Sequence, residues 1–410
     1  MIADAQKHKP ALDFLRYIGP GMLVAVGFID PGNWAANLAA GAQYGYKLLW
    51  VVALATLILA FLQHNAAHLG IATGKCLSEN TTIHLNKFLS KFVLITAMGS
   101  AIATSVAFIL GSALALQILF KLPLQVGAVL SGGLAVFLLF TNSYRRIEKI
   151  IMGFVSLIGV SFLVELWLSP VDWGAAGLGV VVPNIPAGSV PIIMAIMGSV
   201  VMPHNLFLHS EVIQSRQWNL EDDAVINRQL KYEFTDTVFS MAVGWIINAA
   251  MVVLAAALFF THGTVVTEIS QAQQLLRPLL GNGAAIIFAI ALLLAGIASS
   301  LTAGMASGSI FAGMFGEPYD IKDSHSKIGV LIAIVAGVGI VFLVGSPLPA
   351  LVYSQVVMSV QLPVTVFLQI YLTSSSKVMG KYRNSAFTNV VLVLIGVFVT
   401  GLNVMLLINL

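Results

Sequence analysis

Eleven apolar stretches run along this chain, most of them near or above the twenty or so residues a helix needs to cross a bilayer. They lie near 17–42, 47–71, 90–120, 124–141, 150–169, 188–214, 236–261, 284–315, 327–346, 348–373 and 386–409. Apolar residues make up 58% of the sequence, Asp, Glu, Lys and Arg together only 9%, and the mean hydropathy is +0.94. A soluble protein of this composition would turn large apolar patches to water. In lipid, only helices and closed barrels satisfy their own backbone hydrogen bonds. Stretches of this length therefore predict an all-α integral membrane protein, a single transmembrane domain over 1–410.

Charge placement orients it. Threaded from a cytoplasmic N-terminus, the inner segments hold 17 of the 20 Lys and Arg residues, and the outer ones only Lys47, Lys121 and Arg277. A miscount by one span would scramble that alternation. The N-terminus is expected in the cytoplasm, the C-terminus outside, and the location is a cell membrane. Residues 1–16 are polar and of mixed charge, and no small-residue cleavage site follows them, so the first helix is expected to be retained. Asn80-Thr81-Thr82 fits a glycosylation pattern but falls on the inner side. Glu221-Asp222-Asp223 reads as part of a solvated loop. The single cysteine, Cys76, excludes an internal disulfide.

Two spans are interrupted. The first contains Asp30-Pro31-Gly32-Asn33, a carboxylate and an amide around a helix breaker, where insertion scales put a charge at roughly 2.5–3.5 kcal/mol. The sixth contains Gly198-Ser199-Val200-Val201-Met202-Pro203-His204-Asn205, whose proline frees carbonyls one turn earlier, that of Ser199 among them. Paired interruptions in corresponding spans point to a transporter's midplane site. Spans 1–5 (about 17–169) and 6–10 (about 188–373) then form two inverted repeats, with an extra helix at about 386–409. Asp30, Asn33, the Met202 thioether and the Ser199 carbonyl make a set of hard oxygens with one softer sulfur. That set suits Mn²⁺ or Fe²⁺, whereas Mg²⁺ and Ca²⁺ prefer oxygen alone.

At these residues the chain resembles the Nramp family of divalent metal transporters. DPGN at 30–33 and MPHN at 202–205 carry the resemblance, extended by Leu206-Phe207-Leu208-His209-Ser210. Further matches are Gly70–Lys75, Asn248-Ala249-Ala250, Ser299-Ser300 with Thr302, Ser354–Val357 and Gln361-Leu362-Pro363. The resemblance implies a LeuT-like fold of eleven helices, with helices 1 and 6 broken. It implies a metal held by Asp30, Asn33, Met202 and the carbonyl of Ser199, joined in some states by Gln355. It implies import of Mn²⁺, with Fe²⁺, Cd²⁺ and Co²⁺ as other cargoes, by alternating access and usually with inward protons. No enzyme activity, resident cofactor or nucleic-acid partner is expected, and a monomer in the lipid bilayer is.

Span 3 departs from the family, which usually carries an aspartate and a glutamate there, opposed by arginines in span 9. Here Ser105 and Phe108 stand at those places, and span 9 has no arginine. Removing one partner of a buried ion pair leaves an expensive orphan, so both are expected to go together. Proton coupling is then weak, rerouted or absent, and Asp30, His204 and His209 are the remaining proton acceptors. The alternative functions are a proton-uncoupled Mg²⁺/Mn²⁺ transporter of the related type, or a metal channel. Of the other polar residues, His64 and His68 read as a packed or cytoplasm-facing pair, Glu165 as an interfacial group, and Asp236 as the start of span 7. Gln361 reads as a partner for nearby backbone, and Asn248 as either vestibule or helix contact.

Overall fold

The computed structural model describes residues 30–141, 159–213, 223–275 and 281–409. Residues 17–29 of the first expected span, 150–158 of the fifth, and Glu221 and Asp222 lie outside the described residues, as do several of the basic residues that orient the chain.

Every regular element among the described residues is helical. In chain order these are α1 (Pro31–Tyr44), α2 (Leu49–Thr73), α3 (Leu77–His84), α4 (Lys87–Phe120), α5 (Leu124–Phe140), α6 (Gly159–Leu168) and α7 (Trp173–Val181). Then follow α8 (Val190–Val201), α9 (Pro203–Val212), α10 (Asp223–Ala255), α11 (Ala284–Gly313), α12 (Ser324–Val341), α13 (Pro347–Ser374) and α14 (Ala386–Asn409). Eight stretches are long and apolar enough to cross a membrane, Pro31–Thr73 counting as one and α8 with α9 as another; α5 and α6 are shorter apolar helices. These ten stand where the sequence leads one to expect eleven spans; α1 and α2 are joined by a 3₁₀ turn, Gly45–Leu48.

Local chemistry sets the helix ends. Asp30 caps α1 with its side chain and Pro31 takes the first helical position, where a missing N–H costs nothing. Gly74, at φ +66°, stops α2 in the left-handed conformation. Asn86 caps α4 by accepting from the Leu89 amide. Two expectations are corrected. Helix α10 is already helical at Asp223, so Asp236 is a buried mid-helix residue and not a helix start; the charges of Arg228 and Lys231 hide a helix that runs on beyond its apolar part. Glu165 is fully buried and not interfacial.

The core gathers around α1, which packs against α10, α8, α13 and α4 and buries most of its residues. Helix α4 lies along α11, α12 and α13, and α14 sits outside on α13. Large apolar side chains such as Phe88, Phe137, Trp167, Leu394 and Val397 face outward, the surface a bilayer would cover.

Candidate metal site

The start of α1, at Asp30, and the break between α8 and α9, at Met202, meet inside this bundle. Asp30 holds an extended conformation (φ −110°, ψ 162°), and its Oδ1 accepts from the Asn33 backbone N–H at 2.8 Å. One turn of helix thus fixes both polar side chains on one face. In the sixth span, Met202 joins α8 to α9 with φ 42° and ψ 83°, left-handed geometry that costs a non-glycine residue energy. Pro203 has no N–H to give to Ser199, so the Ser199 carbonyl is free to accept from elsewhere. It accepts from Asn33 Nδ2 at 3.0 Å, and the same Nδ2 donates to Asp30 Oδ2 at 3.1 Å.

That geometry tests the donor set. A carboxylate and a carbonyl converge on one electropositive group, here the Asn33 side-chain NH2. A divalent cation would sit equally well between them. Asn33 Oδ1 is buried and has no partner, so a half-turn of the amide gives a third oxygen. The negative end of α8, whose last carbonyls are short of donors, faces the same point.

Gln355, on α13, stands against both breaks. A Cβ at Gly32 would lie 2.0 Å from Gln355 Nε2, and one at Gly198 would lie 1.9 Å from the Gln355 carbonyl. Only glycine at these two places admits the residue. Its Nε2 donates to Ser354 Oγ at 2.9 Å, while Oε1 is buried without a partner. Asp30, Asn33, Ser199 and Gln355 are all fully buried. Met202 is buried as well, but its sulfur accepts from Asn205 Nδ2 at 3.0 Å and has no hydrogen bond to Asp30 or Asn33.

The two histidines of α9 go elsewhere. His204 Nδ1 meets Thr104 Oγ1 on α4 at 3.2 Å, and its Nε2 is buried without a partner. His209 meets Gln63 at 3.3 Å and Glu233 at 3.4 Å. Glu233, on α10, also pairs with His64 at 2.5 Å. No sequence signal near His64 or His68 announces this acid, because it arrives from 169 residues away. Asn248 makes a helix contact, accepting from Asn37 Nδ2 at 2.5 Å. Gln361 bonds side chains rather than backbone: its Oε1 accepts from Thr365 Oγ1 at 2.9 Å and its Nε2 donates to Thr96 Oγ1 at 3.5 Å.

The places where the resemblance leads one to expect acids in span 3 are filled by packed side chains. Phe108 and Ser105 are about 1% exposed, and the Ser105 hydroxyl donates to the Ala101 carbonyl at 3.0 Å. Gly337 of α12 packs directly on Ser105, so the helix that would have carried opposing arginines does face this spot. One further trio of donor groups lies together, Cys76, Glu79 and Glu211, within 4.8 Å of one another. They are already engaged: Glu79 accepts from the Cys76 amide, and Glu211 from Ser309 and the Tyr319 amide.

The sequence model for natural resistance-associated macrophage protein-like (Nramp) proteins matches residues 21–409. The chain belongs to the Nramp family. Among its relatives, the divalent metal cation transporter MntH of Granulibacter bethesdensis is 37% identical over 400 residues, covering 96% of this chain and 88% of that protein. The protein of the same name from Caldanaerobacter subterraneus is 35% identical, with 96% and 93% covered. The crystal structure of the Eremococcus coleocola manganese transporter superposes with a TM-score of 0.79 at 25% identity, covering 99% of this Nramp chain and 88% of that one. Mhp1, a nucleobase-cation-symport-1 family transporter, matches with a TM-score of 0.66 at 16% identity over 91% and 81% of the two chains, a likeness of fold alone. The fold is LeuT-like, as the resemblance to the family implies.

Proposed function

We propose that this Nramp protein imports Mn²⁺, or a neighbouring divalent transition metal ion such as Fe²⁺, Cd²⁺ or Co²⁺, across a cell membrane by alternating access. Its family makes it a divalent metal transporter and not an enzyme. The observation that carries the reading is the convergence of Asp30 Oδ2 and the Ser199 carbonyl on one amide nitrogen, Asn33 Nδ2, beside the unpartnered oxygens of Asn33 and Gln355. Asp30 supplies the charge, Asn33 and Ser199 supply neutral oxygens, and Gln355 is positioned to complete the shell. Met202 contributes its sulfur once Asn205 releases it. The cytoplasmic N-terminus and the two inverted repeats belong to this same reading, and the ion passes between the sides as the halves rock about the breaks.

Protons take no route through α4. That helix has no Asp or Glu, and the space is occupied by Phe108 and Ser105.

Reconstituted in liposomes with an entrapped Mn²⁺ indicator, the protein is expected to show saturable uptake without single-channel current. Asp30→Asn, which keeps the shape and removes the charge, should lower that uptake by about 100-fold, the upper range for losing a group that supports a bound metal. Uptake that survives this change would refute the assignment. Linear, unsaturable flux would favour a channel.

A further inference from the structure

We propose that His64, Glu233 and His209 form a proton relay between the solvent and the broken sixth helix, serving in place of the missing acids of α4. The proposal rests on the transport reading above.

The three residues come from α2, α10 and α9 and are joined through a single carboxylate. Glu233 Oε2 meets His64 Nδ1 at 2.5 Å, and Oε1 meets His209 Nε2 at 3.4 Å while accepting from Thr237 Oγ1 at 2.7 Å. Exposure rises along the chain of groups: the His209 side chain is 1% exposed, that of Glu233 3% and that of His64 31%. One end is therefore sealed in the bundle and the other reaches its edge. His209 shares a half-helix with Met202 and follows it by seven residues, about 10 Å along the axis.

The arrangement is extended. The two imidazoles take opposite oxygens of the carboxylate rather than converging on one point, which suits stepwise transfer better than capture of a metal ion. Imidazole accepts a proton on one ring nitrogen and releases it from the other. A proton that reaches His209 passes to Glu233 and on to His64, which releases it at the inner edge of the bundle; at each step one N–H or O–H bond breaks as another forms, and no electron changes hands. Among the described residues His68 of α2 also faces the cluster, its ring stacked 6.3 Å from that of His64. Phe234 covers the His64 ring at 5.0 Å. Among the described residues the partners of Glu233 are the two histidines and Thr237, and no lysine or arginine pairs with it.

A purely structural knot tying α9 to α2 and α10 would use the same bonds. Glu233→Gln separates the two, because glutamine keeps the size and can still bridge both imidazoles, its oxygen accepting from His209 and Thr237 and its NH2 donating to His64 Nδ1, but cannot carry a proton. In liposomes read simultaneously for Mn²⁺ and internal pH, the unaltered protein should bring protons in with the metal. Glu233→Gln should lower proton entry by roughly tenfold or more, within the range of losing one acid–base group, and leave metal entry largely intact. His64→Gln should do the same. Metal entry without protons in the unaltered protein, or undiminished proton entry in both variants, would overturn the relay and leave the transport reading standing. If the unaltered protein carried no metal, the transport reading would fail. The relay would then be judged by infrared titration of the purified chain: a carboxyl band that appears on acidification and vanishes in Glu233→Gln supports it, and no such band refutes it.

Discussion

A thioether is a poor ligand for Mg²⁺ or Ca²⁺ and an acceptable one for Mn²⁺, Fe²⁺ and Cd²⁺. Met202 therefore acts on the choice of ion more than on whether an ion binds. Met202→Ala should weaken Mn²⁺ and Cd²⁺ uptake, while Mg²⁺ and Ca²⁺ become relatively better competitors. The check is uptake of one metal against increasing amounts of the others, and equal effects on all four would remove the argument from sulfur. Asp30, Asn33 and Pro203 were legible from sequence because each is an anomaly inside an apolar run, and Met202 because it stands at the proline break and adds a sulfur to that donor set. Glu233 was not. It follows a charged stretch that includes Arg228 and Lys231, so it reads as surface, and its two histidine partners come from distant parts of the chain.

Among the elements, α13 matters most to the shape of the site. It places Gln355 between the two breaks, and the fit depends on the absence of side chains at Gly32 and Gly198. Gly198→Ala puts a methyl group 1.9 Å from the Gln355 carbonyl, a backbone atom that cannot swing aside. Overpacking of this kind costs about 1–3 kcal/mol, and here it also pushes α13 away from the donors. The expected result is a protein that folds, with a lower midpoint of thermal unfolding, and that loses most of its metal uptake. Normal uptake would show that α13 need not approach so closely. Helix identity was readable from the apolar stretches, and the split of the sixth span at Met202 falls where Pro203 predicts it. The start of α10 was not readable, since a helix leaving the membrane keeps its backbone pattern while its side chains turn polar. Helix α7, inside a loop rich in Gly and Pro, escaped for the opposite reason: its nine residues are too few to show a period.

At the scale of the whole molecule, the account depends on two distant breaks acting as one site. Asp30 and Ser199 are far apart in sequence, and the Asn33 amide connects them in the folded chain. The sequence indicated this pairing through the matched interruptions of spans 1 and 6. It could not reveal that Asn205 holds the Met202 sulfur, because that bond depends on how the half-helix is turned. The loss of the span 3 acids was equally visible in the sequence, whereas what fills their place, Phe108 with Ser105 against Gly337, needed the fold. The joint site has a direct spectroscopic test. X-ray absorption at the cadmium edge, on protein loaded with one equivalent of Cd²⁺, should show a shell of oxygens with a single sulfur, and the sulfur should disappear in Met202→Ala. A shell of oxygen alone in the unaltered protein, or a sulfur that persists in Met202→Ala, would contradict a cation site shared by the two broken helices.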